Sequence, residues 1–115
     1  MNRLDLLSGT LDLMVLQTLA ALGPQHGWGV ARRIEQISGH QLSLNQGTIH
    51  ASLVRLQQRR LIKGEWGTSE NNRKAKFYSL TNLGRKHLEA GTENWQRMTS
   101  VMERILAILP EETTG

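Results

Sequence analysis

The sequence predicts a mostly α fold carrying one small β-hairpin, an α+β domain, and three observations lead there. Apolar residues recur at helical spacing in four separate stretches. Two strand-like runs, Leu61 to Trp66 and Lys74 to Leu80, flank a single polar loop. A chain of 115 residues is long enough for one modest core and too short for two ordinary domains.

In the first stretch Leu11, Val15, Thr18, Leu19 and Leu22 follow the helical period. Ser8-Gly9-Thr10 can cap its start, and Gly23-Pro24 ends it. The N-terminal "MNRLDLLSGTLDLMVLQTLAALG" is apolar enough to resemble a signal sequence, but Asp5 and Asp12 interrupt it and no continuous run has membrane length. It reads as a buried helix. Trp28, Ala31, Ile34 and Ile37 mark a shorter second helix from about His26 to Ser38, with His26 as a turn or capping residue and Gly39 placed to terminate it.

Asn45 caps a third helix, whose apolar stripe is Ile49, Leu53 and Leu56. The hairpin follows. Thr81 caps a last, long helix that reaches Leu109 and stops at Pro110. Three helices, a hairpin and a long helix make the order of a winged helix-turn-helix with an added C-terminal helix. Residues 1–80 then form the DNA-binding unit, 81–109 a dimerisation helix of the same compact unit, and 110–115 a tail.

Charge points to a partner. The formal net charge is +4, and it is unevenly placed. From Gln46 to Leu80, seven basic residues (Arg55, Arg59, Arg60, Lys63, Arg73, Lys74, Lys76) against Glu65 and Glu70 give +5, while the rest of the chain sums to −1. A polyanion such as double-stranded DNA suits that stretch. With no cysteine, disulfides and cysteine-based metal sites or nucleophiles are excluded, and a reducing, cytoplasmic setting fits. His26, His40, His50 and His87 show no metal-ligand spacing with carboxylates, and no phosphate loop or nucleophile arrangement occurs. Neither enzyme chemistry nor a metal or other cofactor is expected.

A recognition helix packs one face and keeps the opposite face small or polar so that it can lie in the major groove. Opposite Ile49, Leu53 and Leu56 the helical period places Gly47, Ala51, Val54 and Gln58, flanked by Thr48, Arg55 and His50. Gly47 and Ala51 permit close approach; Gln46, Thr48, His50 and Arg55 are the expected DNA contacts. A merely solvated helix face would read the same way from this helix alone. In the loop, Asn71, Asn72, Arg73, Lys74 and Lys76 offer amide donors and cations to the sugar-phosphate backbone, as a wing does. The alternative is a flexible, solubilising surface loop. An acidic protein partner for this basic face is the competing function.

In the last helix Leu88, Gly91, Trp95, Met98, Met102, Ile105 and Leu109 recur at alternating steps of three and four, the spacing of a coiled-coil seam and hence of a homodimer. Val101, Leu106 and Ile108 widen the stripe toward a partner's first helix, where Leu4, Leu6 and Leu7 are available. Gly91 marks either a kink or a close helix approach.

Four stretches resemble the PadR-like transcriptional regulators: "GTLDLMVLQTLA" (Gly9 to Ala20), "HGWGVARRI" (His26 to Ile34), "GTIHASLVRL" (Gly47 to Leu56) and "RKAKFYSLTNLGRKHL" (Arg73 to Leu88). They span most of the chain in the family's order. His26, Trp28, His50 and Ala51 depart from residues that relatives often carry, which bears on DNA sequence preference. The resemblance implies a cytoplasmic regulator, usually a repressor, that binds a palindromic operator as a homodimer. Some members bind flat hydrophobic or phenolic effectors near the dimer interface, and Trp95 is the residue here that could stack on one.

Overall fold

The computed structural model describes residues 7–110; Leu4 and Leu6 lie outside them. Helix α1 (Ser8–Leu22) starts behind an extended Leu7, so Ser8-Gly9-Thr10 is its first turn and not its cap. It buries Leu11, Val15, Leu16 and Leu19. Gly23 ends it at φ 78°, where a side chain would be strained, with its amide bonded back to the Leu19 carbonyl.

Strand β1 (Gln25–His26) is an element that the sequence did not indicate. Two residues carry no periodicity, and this strand exists only through its antiparallel pairing, Gln25 with Tyr78 and His26 with Phe77. The His26 side chain then caps α2 (Gly27–Ile37), its Nδ1 accepting from the Gly29 amide at 3.0 Å. The buried residues of α2 are Val30 and Ile34, while Trp28 and Ile37 are exposed, unlike the expected stripe. Val30 lies two residues, or about 200°, round the helix from Trp28, so only one of the two can face the core.

Helix α3 (Gln46–Gln58) is capped as expected, with Asn45 Oδ1 accepting from the Thr48 amide at 2.8 Å. Strands β2 (Ile62–Thr68) and β3 (Lys74–Leu80) pair antiparallel in register from Ile62 with Leu80 to Thr68 with Lys74. The sheet order is β1-β3-β2. Thr81 starts α4 (Asn82–Leu106): its hydroxyl accepts from the Gly84 amide at 3.0 Å and donates to the Arg60 carbonyl at 2.8 Å, joining helix start to hairpin base. The helix ends at Leu106, short of the expected Leu109, because a residue before proline is disfavoured in the α region and the last turn opens ahead of Pro110.

The core lies between α1, α2, α3 and the base of the hairpin, with Leu16, Leu56, Ile62, Val15 and Val30 fully enclosed. The first turns of α4 lie over it. A Cβ at Gly84 would overlap the Leu61 carbonyl, and one at Gly91 would lie 2.9 Å from Leu13 Cδ1. Gly91 therefore marks a close helix approach. Beyond it α4 leaves the body, which gives the molecule its longest dimension of 65 Å.

Candidate nucleic-acid interface

The core packing of α3 decides which of its residues meet solvent. Ile49, Ser52, Leu53 and Leu56 are buried, which leaves Gln46, Gly47, Thr48, His50, Ala51 and Val54 exposed along the opposite side. That side has small residues at Gly47 and Ala51 and short polar groups beside them, the shape a helix needs to enter a major groove.

The wing is an ordered turn. The Ser69 amide donates to the Arg73 carbonyl at 2.8 Å, the Asn72 amide to the Ser69 carbonyl at 2.9 Å, and the Arg73 amide to Ser69 Oγ at 3.3 Å. Asn72 takes the left-handed conformation at φ 59°, which asparagine tolerates better than most residues. Ser69 is buried inside the turn, and Asn71, Asn72, Arg73 and Lys74 are exposed around it.

Lys74, Lys76 and Tyr78 share one face of β3, and Trp66 joins them from β2 opposite Lys76. Lys74 Nζ lies 5.3 Å from the centre of the Trp66 ring and Lys76 Nζ 5.8 Å from that of Tyr78. The aromatic rings thus hold two cations over the sheet. Burial pushes the Tyr78 phenol above its ordinary range.

This face and α3 border one cleft of about 590 Å³. Gln46, Gly47 and His50 line one wall, Trp66, Lys74 and Lys76 the other, and Trp28 the end. Trp28 is kept there by stacking on His26, ring centres 3.9 Å apart. Thr48, Ala51 and Arg55 border a second depression, of about 430 Å³, with Leu7, Ser8 and Asn45. Asn71, Asn72 and Arg73 sit at the wing tip, outside both. The cleft brings five of the expected contacts together and adds Trp66 and Trp28, which sequence reading did not assign to it. A signal for Trp66 was available: it stands opposite Lys76 toward the hairpin tip, where this face has run past the core that encloses Ile62 and Tyr78.

Arg55, one of the expected contacts, is paired within the protein. Its Nη2 and Nε donate to Asp12 Oδ1 and Oδ2 at 2.7 and 3.1 Å, and Ser52 Oγ donates to the same Oδ1 at 2.6 Å. The hydrogen bond to Asp12 raises the Arg55 guanidinium further above its ordinary value. Among the described residues this is the one ion pair, so no carboxylate there pairs with Arg73, Lys74 or Lys76. No cluster of three or more histidine or carboxylate groups among the described residues could hold a metal ion.

On α4 the expected seam divides. Leu88 does not belong to an outward seam: it is 9 % exposed and part of the chain's own core, because α4 is still lying against α1 at that turn. Trp95, Met98, Met102 and Ile105 are exposed, each by about half, together with Val101 and Leu106, while Ile108 and the expected last seam residue Leu109 are exposed past the end of the helix. No helix among the described residues is long and apolar enough to cross a membrane.

Comparison with known proteins bears on the fold and the family. The fold is similar to that of a transcriptional regulator from Clostridium thermocellum, with TM-score 0.76 and 22% identity over 84% of this chain and 92% of that one. It is also similar to a PadR-like transcriptional regulator from Bacillus cereus, with TM-score 0.74 and 22% identity over 88% and 95%. A PadR family transcription regulator from Clostridium difficile R20291 matches with TM-score 0.73 and 25% identity over 84% and 98%. Residues 15–90, from the middle of α1 to the third turn of α4, match the model of the transcriptional regulator PadR-like family. Members of that family are DNA-binding regulators of transcription and not enzymes. The chain belongs to the PadR-like family of transcriptional regulators.

Proposed function

We propose that the chain is a cytoplasmic repressor that binds a palindromic operator as a homodimer and is released by a flat hydrophobic or phenolic effector. The observation that carries the DNA reading is the cleft whose two walls are the exposed face of α3 and the cationic face of the wing. In this reading α3 enters the major groove, with Gln46, Thr48 and His50 at base edges and Gly47 and Ala51 allowing close approach. Arg73, Lys74 and Lys76, with Asn71 and Asn72, hold the flanking backbone.

Homodimerisation is supported by α4, whose outer half exposes Trp95, Met98, Met102 and Ile105 to solvent among the described residues, with Leu109 exposed just past the helix end. A two-fold dimer would set two α3 helices roughly 34 Å apart, one turn of DNA. Trp95 also borders an apolar groove of about 580 Å³ with Leu13, Met14, Ile34 and Ile37, a seat for a planar effector.

The DNA roles separate by experiment. Thr48→Ala and His50→Ala are expected to cost about 1–3 kcal/mol on a selected duplex and to relax preference at particular base pairs. Arg73→Ala with Lys74→Ala should weaken every duplex alike and reduce the magnitude of the salt slope by about 2. Equal losses on all sequences from the α3 variants would remove α3 from base reading. For the effector, quenching of tryptophan fluorescence by 1-naphthol should be lost in Trp95→Phe and persist in Trp28→Phe and Trp66→Phe. Quenching that survives in Trp95→Phe rejects the seat.

A further inference from the structure

Asp12 is a carboxylate on the buried side of α1, 7 % exposed among leucines and a valine. Both of its oxygens are engaged: Oδ1 accepts from Ser52 Oγ and Arg55 Nη2, and Oδ2 from Arg55 Nε. Ser52 is completely enclosed, and both partners belong to α3. A buried ion pair is weak evidence for stability, since apolar residues of similar volume often serve as well or better. The outer side of the pair offers a different reason for it.

The Arg55 side chain is 38 % exposed, and it borders the same depression as Thr48 and Ala51, on the face of α3 proposed to meet DNA. A guanidinium has five N–H donors in a rigid fork, and Asp12 engages only the Nε and inner Nη2 edge. The donors of the opposite edge are directed away from the carboxylate. A free surface arginine loses rotamer freedom each time it binds; here much of that freedom is already spent within the protein.

We propose that Asp12 is a positioning residue for DNA binding, which from beneath α3 fixes Arg55 so that its outer edge meets a backbone phosphate beside the bases faced by Thr48. This rests on the DNA reading above. The contact differs in kind from those of the wing. Arg55 and Asp12 together are neutral, so their contribution is a charge-assisted hydrogen bond of set direction and not an addition to the positive field.

That difference gives a test whose sign is informative. Asp12→Asn adds one positive charge to the DNA-facing side, so charge alone predicts tighter binding and a steeper salt dependence. Positioning predicts the reverse. The asparagine keeps an acceptor for Ser52 but turns an amide donor toward Arg55 Nε, which breaks the fork.

Affinity is measured by fluorescence anisotropy on a duplex that the wild-type protein selects from a randomised pool, with thermal melts to establish folding. Asp12→Asn and Arg55→Ala are each expected to weaken binding roughly tenfold or more, and the double variant to bind no worse than Arg55→Ala alone. Tighter binding by Asp12→Asn overturns the inference, as do losses that add in the double variant, which would mean that Asp12 only supports the fold. Arg55→Lys leaves α1 untouched and keeps the charge without the fork. It should lose about as much as Arg55→Ala, and full affinity with lysine also overturns the inference. These outcomes leave the DNA reading standing if Arg73→Ala still weakens binding, whereas a wild-type protein that selects no duplex removes both.

Discussion

Single residues set two limits on this fold, and glycines make both visible. Gly84 lets the first turn of α4 lie against the Leu61 carbonyl, and Thr81 closes that junction through Arg60 and the Gly84 amide. Gly84→Ala is expected to cost about 1–3 kcal/mol in urea denaturation, because a methyl group there meets backbone that cannot turn aside. Gly9→Ala lies in helix α1 with open space around it and should instead stabilise by up to about 1 kcal/mol. The opposite signs separate helix propensity from packing; a Gly84→Ala variant as stable as the wild type would contradict the packing at the helix–hairpin junction.

The residue scale is also where the sequence was hardest to read. Asn45 and Thr81 were legible as caps because a cap needs only its own next three residues. Asp12 and Arg55 stand 43 positions apart, and nothing local in either segment relates them. Asp12 could be seen only as a break in an apolar run. The pairing of Asp12 with Ser52 and Arg55 appears only once α1 and α3 are packed.

At the scale of elements, α3 and the hairpin were readable because periodicity and turn chemistry agreed with burial. The strand pair Gln25–His26 was not, since its only support is Tyr78 and Phe77 half a chain away. The seam on α4 was half legible. Its spacing correctly marks one stripe, but spacing alone does not tell an intrachain contact from an intermolecular one. The stripe faces the chain's own core at Leu88, lies against α1 at Gly91, and turns outward from Trp95. The outward part is the proposed interface between protomers, and it can be tested without DNA. Met102→Glu with Ile105→Glu should convert a dimer to a monomer in sedimentation velocity while far-UV circular dichroism keeps its helical signal. A wild-type chain that sediments as a monomer at the same micromolar concentration would contradict the interface.

At the scale of the whole molecule, the excess of positive charge and the longest exposed apolar stripe lie in different parts of the chain. Seven of the fourteen basic residues fall between Gln46 and Leu80, in α3, its C-terminal turn and the hairpin, while the exposed apolar stripe lies on the outer half of α4. One part is suited to a polyanion and the other to a second copy, and the chain connects them through α1, which packs against both α3 and α4. A dimer joined at one end and binding DNA at the other would make operator affinity depend on how the two protomers are held. The most direct measurement is a fluorescence anisotropy titration of the wild-type protein against a selected duplex and a scrambled control across a salt series. The expected result is a preference for the selected duplex that persists as salt weakens both, with two protomers per site. Equal, salt-fragile binding to both duplexes would contradict sequence-specific reading by α3, and an absence of binding at low salt would turn the basic face toward an acidic protein partner.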